Sequence, residues 1–105
     1  MEFNIIWSEF AENQLDKIYE YYKANVSYRI AKKLLKGIIS EPNKLLKTPE
    51  IGQIEEFLKT RKTKYRYLVF KNYKIVYSID KEAGFIKIAD VFDTRQNPTK
   101  IERTK

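Results

Sequence analysis

The chemistry open to this chain is bounded first by two residue types that it lacks. Its 105 residues contain no Cys and no His. Disulfides, thiolate metal ligands and Cys–His or Ser–His–Asp catalysis are therefore excluded, and so are most zinc sites. Any catalysis must come from Lys, Arg, Tyr, Asp, Glu or the backbone, and we expect neither a metal nor a cofactor.

The side chains best suited to act on a partner are cations, and they are concentrated in the second half of the chain. Residues 1–56 carry 8 basic and 9 acidic side chains, whereas residues 57–105 carry 13 basic and 5 acidic ones. No acid occurs between Phe57 and Ile79. This asymmetry favours a polyanion or an acidic protein as partner, although a solvated Lys-rich surface would have the same composition.

Aromatic side chains are interspersed among these cations. Aromatic rings beside positive charges suit stacking on unpaired bases, and the same residues also suit half-buried strands. We predict that the basic run forms an RNA- or partner-binding surface that comprises Lys59, Arg61, Lys62, Lys64, Tyr65, Lys71 and Tyr73.

Two amphipathic helices precede the basic run. Ser8 is a candidate N-cap, and the spacing of Ala11, Leu15, Ile18 and Tyr22 predicts an apolar face on a helix that ends near Lys23. Ser27 can cap a second helix, and Pro42 either disrupts that helix or starts a fresh turn after it. The predicted apolar face of the second helix comprises Ile30, Ala31, Leu34, Leu35, Ile38 and Ile39.

The remaining elements are strands. Alternation predicts a first strand around Phe3, Ile5 and Trp7, and Phe3 and Trp7 are expected in the core. After a loop over 48–52, strands are predicted over 65–70, 73–79 and 85–93, with Lys71-Asn72 as a hairpin turn in which Asn72 tolerates positive φ.

The order β-α-α-β-β-β predicts one α+β domain over residues 1–105. Because neither the helix faces nor the sheet face could be buried alone, we expect an antiparallel sheet with an N-terminal helical hairpin packed on one face. No apolar run is long enough for a membrane span or a signal-peptide core, so we expect a soluble protein of the cytoplasm.

The order and spacing of four segments resemble the RelE/ParE superfamily of bacterial type II toxins, which includes plasmid-stabilisation proteins. The segments are the first helix, the loop LLKTPEIG, the hairpin YRYLVFKNYKIVYSID and the ending IKIADVFDTRQNP. The resemblance covers nearly the whole chain. It implies a compact, growth-arresting toxin that is neutralised by a cognate antitoxin.

The resemblance also implies candidate catalytic residues. RelE-like members cleave mRNA on the ribosome, and three of their basic residues match Arg66, Lys74 and Arg95 here. Such cleavage uses the 2′-OH as nucleophile and needs a base, an acid and cations around the phosphate. Asp93 and Glu50 are the carboxylates that could serve as base, and the terminal Tyr of active nucleases is missing.

Three functions follow as hypotheses. The first is a toxin that acts by ribosome-dependent mRNA cleavage. The second is a ParE-like inhibitor of DNA gyrase without nuclease chemistry, and the third is a non-toxic relic that only binds its antitoxin. All three predict a cognate antitoxin whose binding segment is acidic and partly disordered, while the further partner is the ribosome with mRNA or DNA gyrase. No membrane partner is expected.

Overall fold

A computed structural model describes residues 2–105. Its elements begin with a strand, β1 (Asn4–Trp7), and two helices, α1 (Glu9–Asn25) and α2 (Tyr28–Ser40). Four further strands follow, namely β2 (Gln53–Ile54), β3 (Arg66–Phe70), β4 (Tyr73–Asp80) and β5 (Phe85–Asp93). Short 3₁₀ segments occupy 41–46, 49–51, 56–58 and 98–103. The predicted α+β class is confirmed, and the predicted elements occur in the predicted order, with β2 as an additional strand.

Both helices begin at the predicted caps. The Ser8 hydroxyl accepts a hydrogen bond from the Ala11 backbone N–H, and the Ser27 hydroxyl accepts one from Ile30, each at 3.1 Å. These bonds satisfy backbone donors that have no partner inside the first turn. The helices form the expected hairpin on one face of the sheet.

The sheet has the strand order β1-β5-β4-β3-β2. Strands β3 to β5 pair antiparallel, as predicted, and β2 adds antiparallel to β3. In contrast, β1 lies parallel to β5, with Ile5 beside Ile86. The parallel pair arises because the helical hairpin carries the chain away from β1, and only the last strand of the meander returns beside it. The two-residue strand β2 was not predicted, since two residues carry no periodic signal.

The face of the sheet under the helices carries the main core. Its buried members include Ala11 and Leu15 of α1, Ile38 of α2, and Ile75 and Tyr77 of β4. Phe3 and Trp7, which were predicted to be core residues, are only partly buried against this core. Two members of the apolar face predicted for α2, Ile30 and Ile39, are exposed. They stand at opposite margins of that face, outside the contact with the sheet.

A second core, which the sequence did not predict, covers the opposite face of the sheet. Leu58, Val76, Phe92 and Ile101 are buried there, with Tyr65 and Tyr67 packed against them. The covering residues come from the 3₁₀ segments at 56–58 and 98–103. β4 therefore contributes buried apolar side chains to both faces of the sheet.

A β-bulge divides the residues of β5 between these two cores. Val76 pairs with Asp90 and Tyr77 pairs with Ile88, so Ala89 is an extra residue in β5. The extra residue lets Ile88 and Val91 face the helices together although they are three positions apart. Simple alternation would have placed one of them on the other face.

The hairpin turn between β3 and β4 differs from the prediction in one residue. Lys71, rather than Asn72, has a positive φ, of 54°. Asn72 instead forms hydrogen bonds with residues at the end of β5. Its carbonyl accepts from the Thr94 N–H at 2.8 Å, and its side-chain amide donates to Asp93 Oδ1 at 3.2 Å. The turn is thereby tied to the end of β5.

The second core predicts the effect of shortening Ile101. Ile101 is 1% exposed, so Ile101→Ala leaves a cavity and should lower the free energy of unfolding by about 2–4 kcal/mol. Ile51→Ala is the matched control, because Ile51 is 52% exposed, and it should cost less than about 1 kcal/mol. Urea denaturation followed by circular dichroism measures both. Equal midpoints for the two variants would contradict a packed second core.

Candidate functional site

Arg66 anchors the loop that precedes β2. Its Nη1 donates to the backbone carbonyls of Glu50 and Gly52 at 3.1 and 2.9 Å. The hydroxyl of Tyr77, which pairs with Arg66 across β3 and β4, donates to the Pro49 carbonyl at 2.6 Å and accepts from the Gly52 N–H at 3.0 Å. A Cβ at position 52 would collide with Tyr77, so this approach requires glycine. Arg66 and Tyr77 thus hold the loop at residues 49–52, and we call these residues together the loop clamp.

Lys74 lies on the opposite face of the sheet from Arg66. It pairs with Val69 and Phe92, and Phe92 belongs to the second core, whereas Arg66 pairs with Tyr77 of the main core. Directly paired residues share a face. The sheet therefore separates the side chains of Arg66 and Lys74.

The ammonium of Lys74 is held by a buried carboxylate. Lys74 Nζ lies 2.7 Å from Glu55 Oε1 and 4.2 Å from the centre of the Tyr67 ring. The side chain of Glu55 is 1% exposed and that of Lys74 is 20% exposed. The other oxygen of Glu55 accepts the Phe57 N–H at 3.1 Å. Lys74 thus neutralises a carboxylate that would otherwise be buried without a counter-charge.

Arg95 occupies a third position, beyond the end of β5. Its Nε and Nη2 donate to the carboxylate of Asp93, with Nη2 at 2.7 Å from Oδ2. The Arg95 guanidinium lowers the pKa of Asp93 to about 2, and Asp93 raises the pKa of Arg95. Tyr73 and Tyr22 line the small cavity next to this pair. Because Asp93 pairs with Tyr73, four residues before Tyr77 on β4, Arg95 lies roughly 13 Å along the sheet from the loop clamp.

The three predicted catalytic cations are therefore not brought into one site. Arg66 binds loop carbonyls, Lys74 pairs with Glu55, and Arg95 pairs with Asp93. Of the two carboxylates considered as a base, Asp93 is engaged by Arg95. Glu50 pairs with Lys81 at 2.8 Å, and the hydrogen bond from Lys81 lowers the pKa of Glu50.

The residues predicted to bind RNA or a partner divide into exposed and structural members. Lys62, Lys64 and Lys71 are exposed, and Lys59 is exposed beside Glu56 at 3.5 Å. Tyr73 is 3% exposed and packs in the main core, where burial and the neighbouring Tyr22 hydroxyl raise the pKa of its own hydroxyl. Its ring is therefore part of the core rather than of a surface.

Two further members of this predicted surface hold the C-terminal segment. Arg61 donates to the backbone carbonyls of Glu102 and Thr104, and its guanidinium lies 5.8 Å from the centre of the Tyr65 ring. Tyr65 is half-buried against the second core. Arg61 and Tyr65 therefore help to build the second face of the fold.

A second buried carboxylate, which sequence reasoning missed, fastens the same C-terminal segment. Asp90 is fully buried and accepts hydrogen bonds from Arg103 Nε and Nη2 at 3.2 and 3.1 Å and from the Thr104 hydroxyl at 2.8 Å. Glu55 was missed in the same way. The signal that could have found Asp90 is its place between apolar residues of a predicted strand, where an ordinary surface carboxylate is not expected.

An open cleft of about 820 Å³ lies beside the clamp, lined by the end of β4, the turn that follows it and the start of β5. Ile6 and Phe85 contribute exposed apolar surface to it. Its cationic lining residues are Lys64, Arg66, Lys81, Lys87 and Lys105, and its acidic ones are Glu50, Asp80 and Glu82. The cleft thus has an apolar floor and a predominantly basic rim.

Neither a membrane span nor a metal-ligand cluster is found between Glu2 and Lys105. No helix in this range is long and apolar enough to cross a bilayer. Asp and Glu side chains of the same range nowhere form a group of three or more that could hold a metal ion.

The buried ion pair predicts that removing Lys74 damages the fold. Lys74→Ala leaves the Glu55 carboxylate buried without a cation and should lower the free energy of unfolding by about 3–5 kcal/mol. The double variant Glu55→Gln/Lys74→Met removes both charges and should recover most of that loss. Urea denaturation measures all three chains. A Lys74→Ala protein of undiminished stability would show that Glu55 does not depend on Lys74.

The Asp93–Arg95 pair predicts a change in one carboxyl titration. Arg95→Gln should raise the pKa of Asp93 from about 2 towards 3.8, as measured by carboxyl ¹³C NMR. Since the folded-state pKa is the lower one, the pair stabilises the native chain above about pH 4, and this contribution is lost as the pH falls towards 2. The Glu50 carboxyl, which pairs with Lys81, is the internal control and should keep its pKa. An unchanged Asp93 titration would mean that Arg95 does not engage it in solution.

Comparison with known proteins identifies the family. The sequence model for the ParE toxin of the type II toxin–antitoxin system parDE matches residues 5–98. Among solved structures, the fold is similar to a chain described as the chromosomal ParDE TA system from P. aeruginosa, with 17% identity and a TM-score of 0.71. That match covers 88% of this chain and 96% of the other. The search of curated proteins gives no significant match.

These matches refine the functional expectations. They support a type II toxin, and hence a cognate antitoxin as partner. The ribosome-dependent cleavage of mRNA that was expected first is not supported, and the ParE-like alternative fits better. Since the family match spans nearly the whole chain, this protein belongs to the ParE family of type II toxin–antitoxin toxins.

Proposed function

We propose that this toxin arrests growth by binding DNA gyrase, as ParE-like toxins do, and that it carries out no nucleolytic chemistry of its own. The observation that carries the proposal is the separation of Arg66, Lys74 and Arg95 into three places, each with its own protein partner. Phosphate cleavage needs cations, a base and an acid around one phosphate. A toxin that acts by binding needs no such convergence.

The residue inventory supports the same proposal. His is the commonest general base or acid near neutral pH, and the chain has none. The carboxylate of Asp93 is held in its charged form by Arg95, with a pKa of about 2, so it is a weak base. The hydroxyl of Tyr77, whose pKa is raised by burial, is committed to the Pro49–Gly52 loop.

For the antitoxin, the proposed docking site is the cleft beside the loop clamp. Its apolar floor and basic rim complement an acidic amphipathic segment, and such segments commonly fold as they bind. Lys64 belongs both to this rim and to the basic run predicted from the sequence. Antitoxin binding through Lys64 and its neighbours would use the positive charge of residues 57–105 without any catalytic role.

The test compares the two modes of action in the same cultures. The native chain is expressed without an antitoxin, while mRNA 5′ ends are mapped and the DNA-damage response is measured. We expect a damage response and intact mRNA, and purified gyrase should lose supercoiling activity when the chain is added. New mRNA ends without a damage response would overturn the proposal.

Arg95→Gln sharpens this comparison. The substitution removes an exposed ion pair only, whereas Lys74→Ala would confuse loss of chemistry with loss of folding. A nuclease that uses Arg95 should lose its mRNA cuts in this variant. A gyrase inhibitor should still arrest growth and still provoke the damage response, unless Arg95 itself touches gyrase, in which case both effects fall together and mRNA stays intact. A frameshifted chain at equal transcript level is the negative control.

A further inference from the structure

Helix α2 carries a stripe of cations that the proposed function does not use. Arg29, Lys32, Lys33 and Lys36 are all exposed. At 100° per residue they fall within an arc of about 100°, directly opposite the buried residues Ala31, Leu34 and Ile38. The stripe therefore faces outward from the domain.

Among residues 2–105, no carboxylate forms an ion pair with this stripe. Residues 28–40 contain neither Asp nor Glu. Within residues 2–105, the ion pairs with N···O distances up to 4.0 Å involve other cations. The one aromatic neighbour is Tyr28, whose ring centre lies 5.8 Å from Lys32 Nζ. The four charges are thus available to an external anion.

The stripe lacks the apolar centre of a protein interface. Protein–protein interfaces enclose a desolvated core that is depleted of charge, with polar groups at the rim. The remaining side chain in this arc, Ser40, is polar. The exposed apolar residues Ile30 and Ile39 stand outside the arc on opposite flanks, so they do not join into a patch. Charge without an apolar core matches the phosphate backbone of a nucleic acid.

The length of the stripe matches a short stretch of duplex. Arg29 to Lys36 spans about 10.5 Å of helix axis, and one DNA strand presents a phosphate about every 3.4 Å of duplex axis. The stripe can therefore face about three successive phosphates, which is close to its own number of cations.

We propose that the outer face of α2 binds the phosphate backbone of duplex DNA without sequence preference. This activity goes beyond the proposed function, because it requires neither gyrase nor antitoxin. Where the toxin does inhibit gyrase, the stripe would hold it on the DNA that gyrase is processing. The stripe lies on the helical side of the domain, away from the cleft assigned to the antitoxin.

The test is DNA binding by the purified chain, made in a cell-free system and measured by fluorescence anisotropy with a 20-bp mixed-sequence duplex. Neutralising three to four phosphates predicts a slope of log affinity against log salt of about −3. The stripe variant, Arg29→Gln/Lys32→Gln/Lys33→Gln/Lys36→Gln, should bind at least ~10-fold more weakly at 50 mM salt, with a slope near zero. Gln keeps high helix propensity, and circular dichroism checks that α2 is retained.

A matched control separates the stripe from net charge. The variant Lys17→Gln/Lys23→Gln/Lys47→Gln/Lys100→Gln removes the same four charges from the formal +7, and all four residues are exposed. It should bind within about threefold of the native chain. Replacing the three stripe lysines with Arg should preserve both affinity and slope, since phosphate contacts need charge at those positions.

Three outcomes would overturn the proposal. One is an equal loss of affinity in the stripe and control variants, which would assign binding to overall charge. Another is tighter stripe-dependent binding of a poly-glutamate peptide or of duplex RNA, which would assign the stripe to an acidic protein or to RNA. The third is no DNA binding by the native chain at 50 mM salt. Because gyrase is absent from this assay, its failure leaves the gyrase proposal intact.

Discussion

The fold depends on the burial of both faces of one central strand. On β4, Ile75 and Tyr77 point into the core under the helices, and Val76 points into the second core. A single sheet of this size cannot leave either apolar face in water. The helical hairpin covers one face, and residues 56–58 and 98–103 cover the other. The bulge at Ala89 then divides the residues of β5 between the same two layers.

The second layer is thin, and buried charge takes the place of some of its apolar packing. Two carboxylates, Glu55 and Asp90, are buried there, and Lys74 and Arg103 neutralise them. A carboxylate that is buried away from water is stable only when a cation and hydrogen bonds compensate for its lost hydration. Lys74 and Arg103 are therefore held at the buried carboxylates that they neutralise. Part of the positive charge of residues 57–105 is therefore internal to the fold and is not displayed to a partner.

The basic residues therefore fall into two groups, those that stabilise the fold and those that are free to contact a partner. Some cations pair with buried carboxylates, loop carbonyls or the C-terminal segment, and these cations fix the position of the backbone. By contrast, Lys62, Lys64 and Lys71 lie on the surface. Under the proposed function, the positive charge on the surface serves association rather than catalysis. The outer face of α2 extends the same principle, since its cations pair with no carboxylate of the described residues and point away from both cores.

Much of the architecture followed from local patterns alone. Ser8 and Ser27 mark the helix starts because their hydroxyls accept hydrogen bonds from backbone N–H groups of the first turn. The alternation of apolar and other side chains from Tyr73 to Ile79 likewise indicates a strand. The absence of Cys and His is likewise a property of sequence, and it limits the possible chemistry whatever fold the chain adopts. Local patterns do not report what lies across the sheet. Only the tertiary structure decided that β1 runs parallel to β5, that Arg66 and Lys74 lie on opposite faces, and that Glu55 and Asp90 are buried. The physical reason is that pairing, register and the bulge bring together residues far apart in the chain, and those contacts determine which charges are engaged and which are free.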